Sequence, residues 1–259
     1  MRQVHWATLL TVNAILGLLV KPVFAAQSGT VVASAVVVPA QISNMAFLLS
    51  APVKEVAVNE GDEVTSGQTL IVLDVPDLEY GVIASEAVLR SAQANAEIQR
   101  YNRVKNRRNG RVFFDVVPPE VRQKADAEVL SAQAALEVAQ AGLAQSVLVA
   151  TYNSTVASVN VVAGEYVQQN QVVMTLATLN NLQLETTDLS ERDISKVKIG
   201  SPVNIFIEAS NENIKGKVIG ISPRANIVGG DVVFKVTIAF DKQPENLLWG
   251  MTAEVTIDE

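Results

Sequence analysis

The hydrophobic pattern of the chain changes period twice. Residues 53–73 (VKEVAVNEGDEVTSGQTLIVL) and 156–176 (VASVNVVAGEYVQQNQVVMTL) alternate apolar and polar positions, the pattern of half-buried strands. The two segments align at an offset of 103, with identities at Val53/Val156, Val56/Val159, Val58/Val161, Gly61/Gly164, Val64/Val167, Gln68/Gln171 and Leu73/Leu176. Each copy reads as strand, turn, strand, short link and strand. Gly61-Asp62 and Gly164-Glu165 sit where a chain reversal needs positive φ or close backbone approach.

Between the copies the period becomes 3.5. Pro118-Pro119-Glu120 is a helix start with an acidic first turn. Apolar or small residues then recur at Ala125, Val129, Ala132, Leu136, Ala139, Leu143, Ser146 and Ala150, the 4,3 spacing of a coiled-coil seam. A weaker seam runs through Leu78, Val82, Leu89, Ala92 and Ala96 in residues 77–104. Two helices of about 30 residues, joined by a short irregular segment, predict an antiparallel hairpin that projects about 40–45 Å. The repeat on either side forces it outward as an insertion.

After the second copy the pattern returns to period 2. Residues 182–187, 203–208, 214–222, 232–241 and 251–257 alternate, and Gly200-Ser-Pro, Asn211-Glu-Asn, Gly229-Gly-Asp and Pro244-Glu-Asn supply turns. This predicts a small barrel. Asp188–Lys198 reads as one or two helical turns capped by Asp188 or Ser190.

The N-terminus carries targeting chemistry. Arg2 precedes an apolar run over residues 7–20, and Val23-Phe24-Ala25 is a small-x-Ala cleavage pattern. The run is shorter than the about 20 residues of an ordinary spanning helix. Two readings fit, a signal peptide over 1–25 or an uncleaved anchor. Both place the body outside the cytoplasmic membrane. The chain has no cysteine, so there is no lipobox and no disulfide, and stability rests on core burial and strand pairing.

Composition narrows the chemistry. The single histidine, His5, lies in the targeting segment, so the mature chain offers no Ser-His-Asp or Cys-His catalysis and no His- or Cys-based metal site. No cofactor is expected. The carboxylate pairs Glu60/Asp62 and Asp188/Glu191 lie in turn or cap contexts, where acids serve structure, so an enzyme is not expected. The three methionines of the mature chain, Met45, Met174 and Met251, are weak support for soft-metal capture.

The net charge of −7 disfavours nucleic acid as a partner. It is also unevenly spread. Arg100, Arg103, Lys105, Arg107, Arg108 and Arg111 fall within twelve positions without an acid, which leaves −13 on the rest of the chain. Val112, Phe113, Phe114, Val116 and Val117 follow. Cations that steer and aromatics that bury on contact make a docking tip. Its candidate residues are Arg100, Arg103, Arg107, Arg108, Arg111, Phe113 and Phe114. A solvated helix end, its cations favoured by the helix dipole, and a membrane-surface contact are the alternatives.

These pieces carry a resemblance. The segment from Phe47 to Leu73 and its partner copy resemble the halves of a lipoyl/biotinyl-type domain. Interrupted by a helical hairpin, they resemble the membrane-fusion, or periplasmic adaptor, family of the HlyD type. The likeness continues through Asp188–Val203 and ends in Gly250-Met-Thr-Ala-Glu-Val255. It implies a mixed, mainly β chain with a long α-helical hairpin: a split lipoyl/biotinyl-like β-sandwich with an antiparallel coiled-coil insertion, followed by a small β-barrel. The expected segments are 1–25 signal peptide, 26–46 N-terminal strand segment that can join the barrel, 47–76 first lipoyl-like half, 77–149 hairpin, 150–180 second half and 181–259 barrel. A lipoyl carrier presents a lysine at a hairpin tip. Asp74-Val-Pro-Asp77 stands there instead, and no lysine lies between Lys54 and Lys105, so the module is a scaffold.

The resemblance further implies a non-enzymatic efflux or secretion adaptor, exported to the periplasm or cell envelope and membrane-associated. It would join an inner-membrane transporter of RND or ABC type to an outer component, as a trimeric or hexameric homo-oligomer. An exported cargo- or metal-binding module without a channel partner is the alternative. Adaptors that meet a TolC-like outer-membrane channel often carry Arg-x3-Leu-x6-Ser at the tip. Here Arg100 is followed by Val104 and Arg111, which leaves that partner open. Many adaptors also have a membrane-proximal domain. It is expected here to be absent or reduced to residues 27–40, unless these supply a barrel strand.

Overall fold

The computed structural model describes residues 29–258, and the predicted signal peptide over 1–25 lies outside them. The elements run β1 (Thr30–Pro39), β2 (Ile42–Ala46), β3 (Ala51–Val56), β4 (Glu63–Val64), β5 (Thr69–Leu73), α1 (Pro76–Tyr101), β6 (Arg103–Arg108), β7 (Arg111–Val116) and α2 (Pro119–Ala144). The second copy of the repeat supplies β8 (Val147–Val149), β9 (Ser154–Val159), β10 (Tyr166–Val167) and β11 (Val172–Ala177). The chain continues through β12 (Leu182–Thr186), α3 (Glu191–Ile194), β13 (Pro202–Ile207), β14 (Glu212–Val228), β15 (Asp231–Phe240) and β16 (Thr252–Asp258).

The repeat folds as a sandwich of two four-stranded sheets, β10-β3-β5-β8 and β2-β11-β9-β4. Each copy lends its short strand to the other: β4 pairs with β9, and β10 with β3. The backbone bonds obey the same exchange. Gly61 N–H donates to Val156 O at 2.9 Å, and Gly164 N–H to Val53 O at 2.8 Å. Gly67 N–H donates to Ala150 O and Asn170 N–H to Phe47 O. Within each turn, Asn59 N–H donates to the Asp62 carboxylate and Val162 N–H to that of Glu165. Every one of these pairs maps onto its counterpart at the offset of 103, so the sequence repeat is a two-fold pseudosymmetry. Gly61 and Gly164 have φ of 90° and 87°, a backbone that a Cβ disfavours. Leu70, Ile71, Val167, Val173, Met174 and Leu176 form the centre of the core beneath.

The barrel is closed and six-stranded, in the order β1-β12-β15-β14-β13-β16, with β1 and β16 paired. Its interior holds Val37, Leu184, Ile205, Val236, Ile238 and Val255, each worth about 1.5–3 kcal/mol in burial. Residues 26–46 are therefore not one segment: β1 belongs to the barrel and β2 to the sandwich, where it pairs with β11. The chain changes module at Ala40-Gln41, directly after Pro39, which offers no N–H to continue a ladder.

Strand β14 outruns its predicted end. A register shift between Ile221 and Ala225 takes up Ser222-Pro223-Arg224, the place for a proline in a long strand. The pairing then continues to a Gly229-Gly230 turn beyond the barrel. Helix α3 is a single turn, and Ser190 caps it by accepting from Asp193 N–H. Asp188 instead accepts from Ser34 N–H at 2.7 Å, which ties the α3 loop to β1.

One glycine is fixed by approach. A Cβ on Gly216 would lie 2.5 Å from Ala239 O and 2.7 Å from Ile205 Cδ1. Gly216→Ala is expected to destabilise the barrel by about 2–4 kcal/mol, read as a lower urea midpoint with unchanged slope.

Candidate docking site at the hairpin tip

Helices α1 and α2 each have 26 residues, about 39 Å of length. Both open on a proline, Pro76 and Pro119, with acids in the first turn and no side-chain cap. The bonds Asn95–Glu128 and Arg100–Asp126 show that they run in opposite directions. Along α2 the less exposed residues are Arg122, Ala125, Val129, Ala132, Leu136, Ala139, Gly142 and Leu143. Along α1 they include Leu78, Val82, Ser85, Leu89, Ala92 and Ala96. Ala96, Ala125 and Ala132 are the buried ones, so the helices meet through small side chains.

The helices end earlier than the sequence pattern predicts. Helix α2 stops at Ala144, because Val147-Leu148-Val149 pairs with β5. Ser146 closes the junction: its hydroxyl donates to Leu143 O, and its carbonyl accepts from Leu73 N–H. The expected hairpin of 77–149 thus gives up its last residues to the sandwich. Helix α1 stops at Tyr101, where Asn102 turns extended and its side-chain oxygen accepts from Arg103 N–H at 2.9 Å.

The segment between them is ordered, not irregular. Strands β6 and β7 form an isolated antiparallel ribbon with Arg108 opposite Arg111. Asn109 and Gly110 have φ of 54° and 76°, the two positive values of a type I′ hairpin turn. Asn-Gly flanked by alternating residues is the sequence signal for that turn, and the run of cations masked it. Directly opposed residues share a face. One face therefore carries Arg103, Lys105 and Arg107 beside Val116, Phe114 and Val112. The other carries Val104, Asn106 and Arg108 beside Asp115, Phe113 and Arg111.

All twelve strand residues are exposed, Phe114 at 67% and Phe113 at 48%. Arg103, Arg107, Arg108, Arg111, Phe113 and Phe114 are thus brought together on the ribbon. Arg100 is not: it sits on α1 and pairs with Asp126 of α2 at 3.0 Å. Both partners are more than half exposed, so the bridge contributes at most about 1 kcal/mol. Asp115, the ribbon's acid, accepts from Asn106 Nδ2 at 2.6 Å.

Three of the four carboxylates considered for catalysis serve the backbone. Glu60 accepts from Val159 N–H, Asp62 from Asn59 N–H and Asp188 from Ser34 N–H. At the place of a carrier lysine the chain runs from β5 into α1, and Asp74 N–H donates to Pro52 O. Nearby Lys54 faces Glu79 at 3.7 Å. No helix among the described residues is long and apolar enough to cross a membrane.

Residues 41–178, the sandwich with its insertion, match the family model of the CzcB-like, barrel-sandwich hybrid domain. The chain belongs to this family. The kinship with membrane-fusion proteins read from the sequence holds. Nodulation protein NolF of Rhizobium meliloti (strain 1021) is 26% identical over 219 residues, which are 82% of this chain and 59% of NolF. The chain therefore spans about three fifths of that relative's length. Among the solved structures that share this fold, two serve as examples. A MacA-MexA chimera with the Pseudomonas aeruginosa MexA α-hairpin domain superposes at a TM-score of 0.76, with 23% identity over 88% of this chain and 81% of the chimera. The membrane fusion protein Spr0693 of Streptococcus pneumoniae R6 gives 0.71, with 19% identity over 88% of this chain and 99% of its own.

The turn that makes the ribbon is open to test. Gly110→Ala places a Cβ at φ +76° and is expected to cost about 1 kcal/mol locally. Amide exchange should accelerate over 103–116 while the global unfolding midpoint stays fixed.

Proposed function

We propose that this barrel-sandwich hybrid protein is a non-enzymatic adaptor subunit of a bacterial efflux or secretion complex. It acts outside the cytoplasmic membrane, in the periplasm or cell envelope. Its body associates with an inner-membrane transporter of the RND or ABC type, and its helical hairpin, an antiparallel coiled coil, reaches an outer component. The segments divide the work: residues 47–76 and 150–180 brace the hairpin, and the barrel, 181–259 with β1, offers the transporter-facing surface.

One observation carries this reading. The two copies of the repeat lock each other, and the chain between them leaves as a helix pair whose far end presents charge and exposed phenylalanines. A catalyst has no use for a lever of this kind; a bridge does. The family match supports the adaptor role. Arg103, Arg107, Arg108, Arg111, Phe113 and Phe114 are the docking residues, with Arg100 as a brace between the helices. Self-association into a trimer or hexamer sets the hairpins side by side.

Chemical crosslinking in cells followed by affinity capture tests the proposal. A polytopic inner-membrane transporter is expected among the captured proteins, and the purified chain is expected to sediment as an oligomer at high concentration. A strictly monomeric protein that captures no transporter would overturn it.

A further inference from the structure

The ribbon is polarised strand against strand. Strand β6 carries Arg103, Lys105, Arg107 and Arg108 with Val104 among them, whereas β7, after Arg111 at the turn, carries Val112, Phe113, Phe114 and Val116 with Asp115 between the last two. The apolar residues of β7 point to both faces, Val112, Phe114 and Val116 to one and Phe113 to the other. A rigid protein surface laid on one face leaves the opposite phenylalanine in water. A soft interface that closes round the strand covers both.

Charge points the same way. Five cations are distributed over the two faces, and the single acid of the two strands, Asp115, is engaged by Asn106. An isolated two-stranded ribbon is marginal in water and needs a surface to lie against. Its two outer edges keep unpaired N–H and C=O groups, which hydrocarbon does not satisfy and the hydrated headgroup layer does. Long basic side chains reach outward to phosphates while the apolar strand sits at the acyl boundary.

We propose that the β6–β7 ribbon binds the interface of a bilayer rich in anionic phospholipid. Val112, Phe113, Phe114 and Val116 enter the acyl boundary, and Arg103, Lys105, Arg107 and Arg108 engage headgroup phosphates. The assignment rests on the docking role given to the tip above and names its partner as a lipid surface.

Flotation of the purified chain with vesicles of phosphatidylcholine alone, or mixed with phosphatidylglycerol, tests it. The readout is the ratio of anionic to neutral binding, which cancels any contribution from the apolar N-terminal run. The parent chain is expected to prefer anionic vesicles and to lose that preference in high salt. Replacing Arg103, Lys105 and Arg107 by Gln together should lower the ratio by about a hundredfold. Phe114→Ser should weaken anionic binding by about tenfold. These positions are exposed, so circular dichroism and the unfolding midpoint should match the parent. Equal binding to both vesicle types, or variants that bind like the parent, would overturn the assignment. Transporter capture by the triple variant separates the two proposals. Capture kept with vesicle binding lost supports both. A parent that floats with no vesicle but crosslinks through Phe113 to an acidic protein overturns the lipid assignment and leaves the adaptor reading standing.

Discussion

Reciprocal strand exchange between the two copies of the repeat is the constraint on which the molecule rests. Neither copy closes a sheet alone, because β4 finds its partner in β9 and β10 finds its partner in β3. The turns at Gly61 and Gly164 are held by carbonyls of the opposite copy. Each copy is thus the scaffold on which the other's turn is built. In physical terms, the long insertion is a loop-closure cost that this interlock offsets, since such cost grows only slowly with loop length.

That interlock sets what the hairpin can do. Leu73 at the end of β5 and Ser146 at the foot of α2 are hydrogen bonded, so the two helices leave from one clamped point. Between the clamp and the ribbon their fully buried contacts are small, at Ala96, Ala125 and Ala132, and the leucines and valines of the seam stay half-exposed. Small side chains bury little apolar area, so the helix pair draws modest stability from its own seam. Its geometry is defined at the base by the sandwich and at the far end by the type I′ turn. The barrel has a separate core and takes no part in this.

Much of the fold was legible in the residues. The repeat could be read because the pseudosymmetric turns need the same chemistry twice, a glycine at positive φ followed by an acid that accepts from a nearby N–H. The helices could be read from their 4,3 spacing, and the barrel from alternation and turn residues. What escaped was decided by long-range pairing. Ser146 and Ala150 continue the heptad, yet Val147–Val149 is claimed by β5. Residues 26–46 look continuous, yet β1 and β2 serve different modules. At the candidate site the residue types were visible and their arrangement was not. Arg100 groups with the other cations by sequence, but the helix turns it toward Asp126. Six basic residues dominate the composition of this stretch, but it is Asn109-Gly110, with positive φ at both positions, that converts the run into a two-faced ribbon.

The closure of the barrel has a temporal meaning. Strand β1 sits between β12 and β16, with Thr30 opposite Asp258 and Ala35 opposite Thr186. A chain that emerges from its N-terminus presents β1 before the other described strands, long before either neighbour exists. The sandwich has all its strands once Ala177 is out, whereas the barrel has the highest sequence separation the described chain contains and so the slowest search. Until β16 arrives, β1 is an open edge rich in valine, the kind of surface that invites pairing with the wrong chain. The strand that ties the N-terminal segment to the barrel is therefore also the one that most needs protection while the protein is being made.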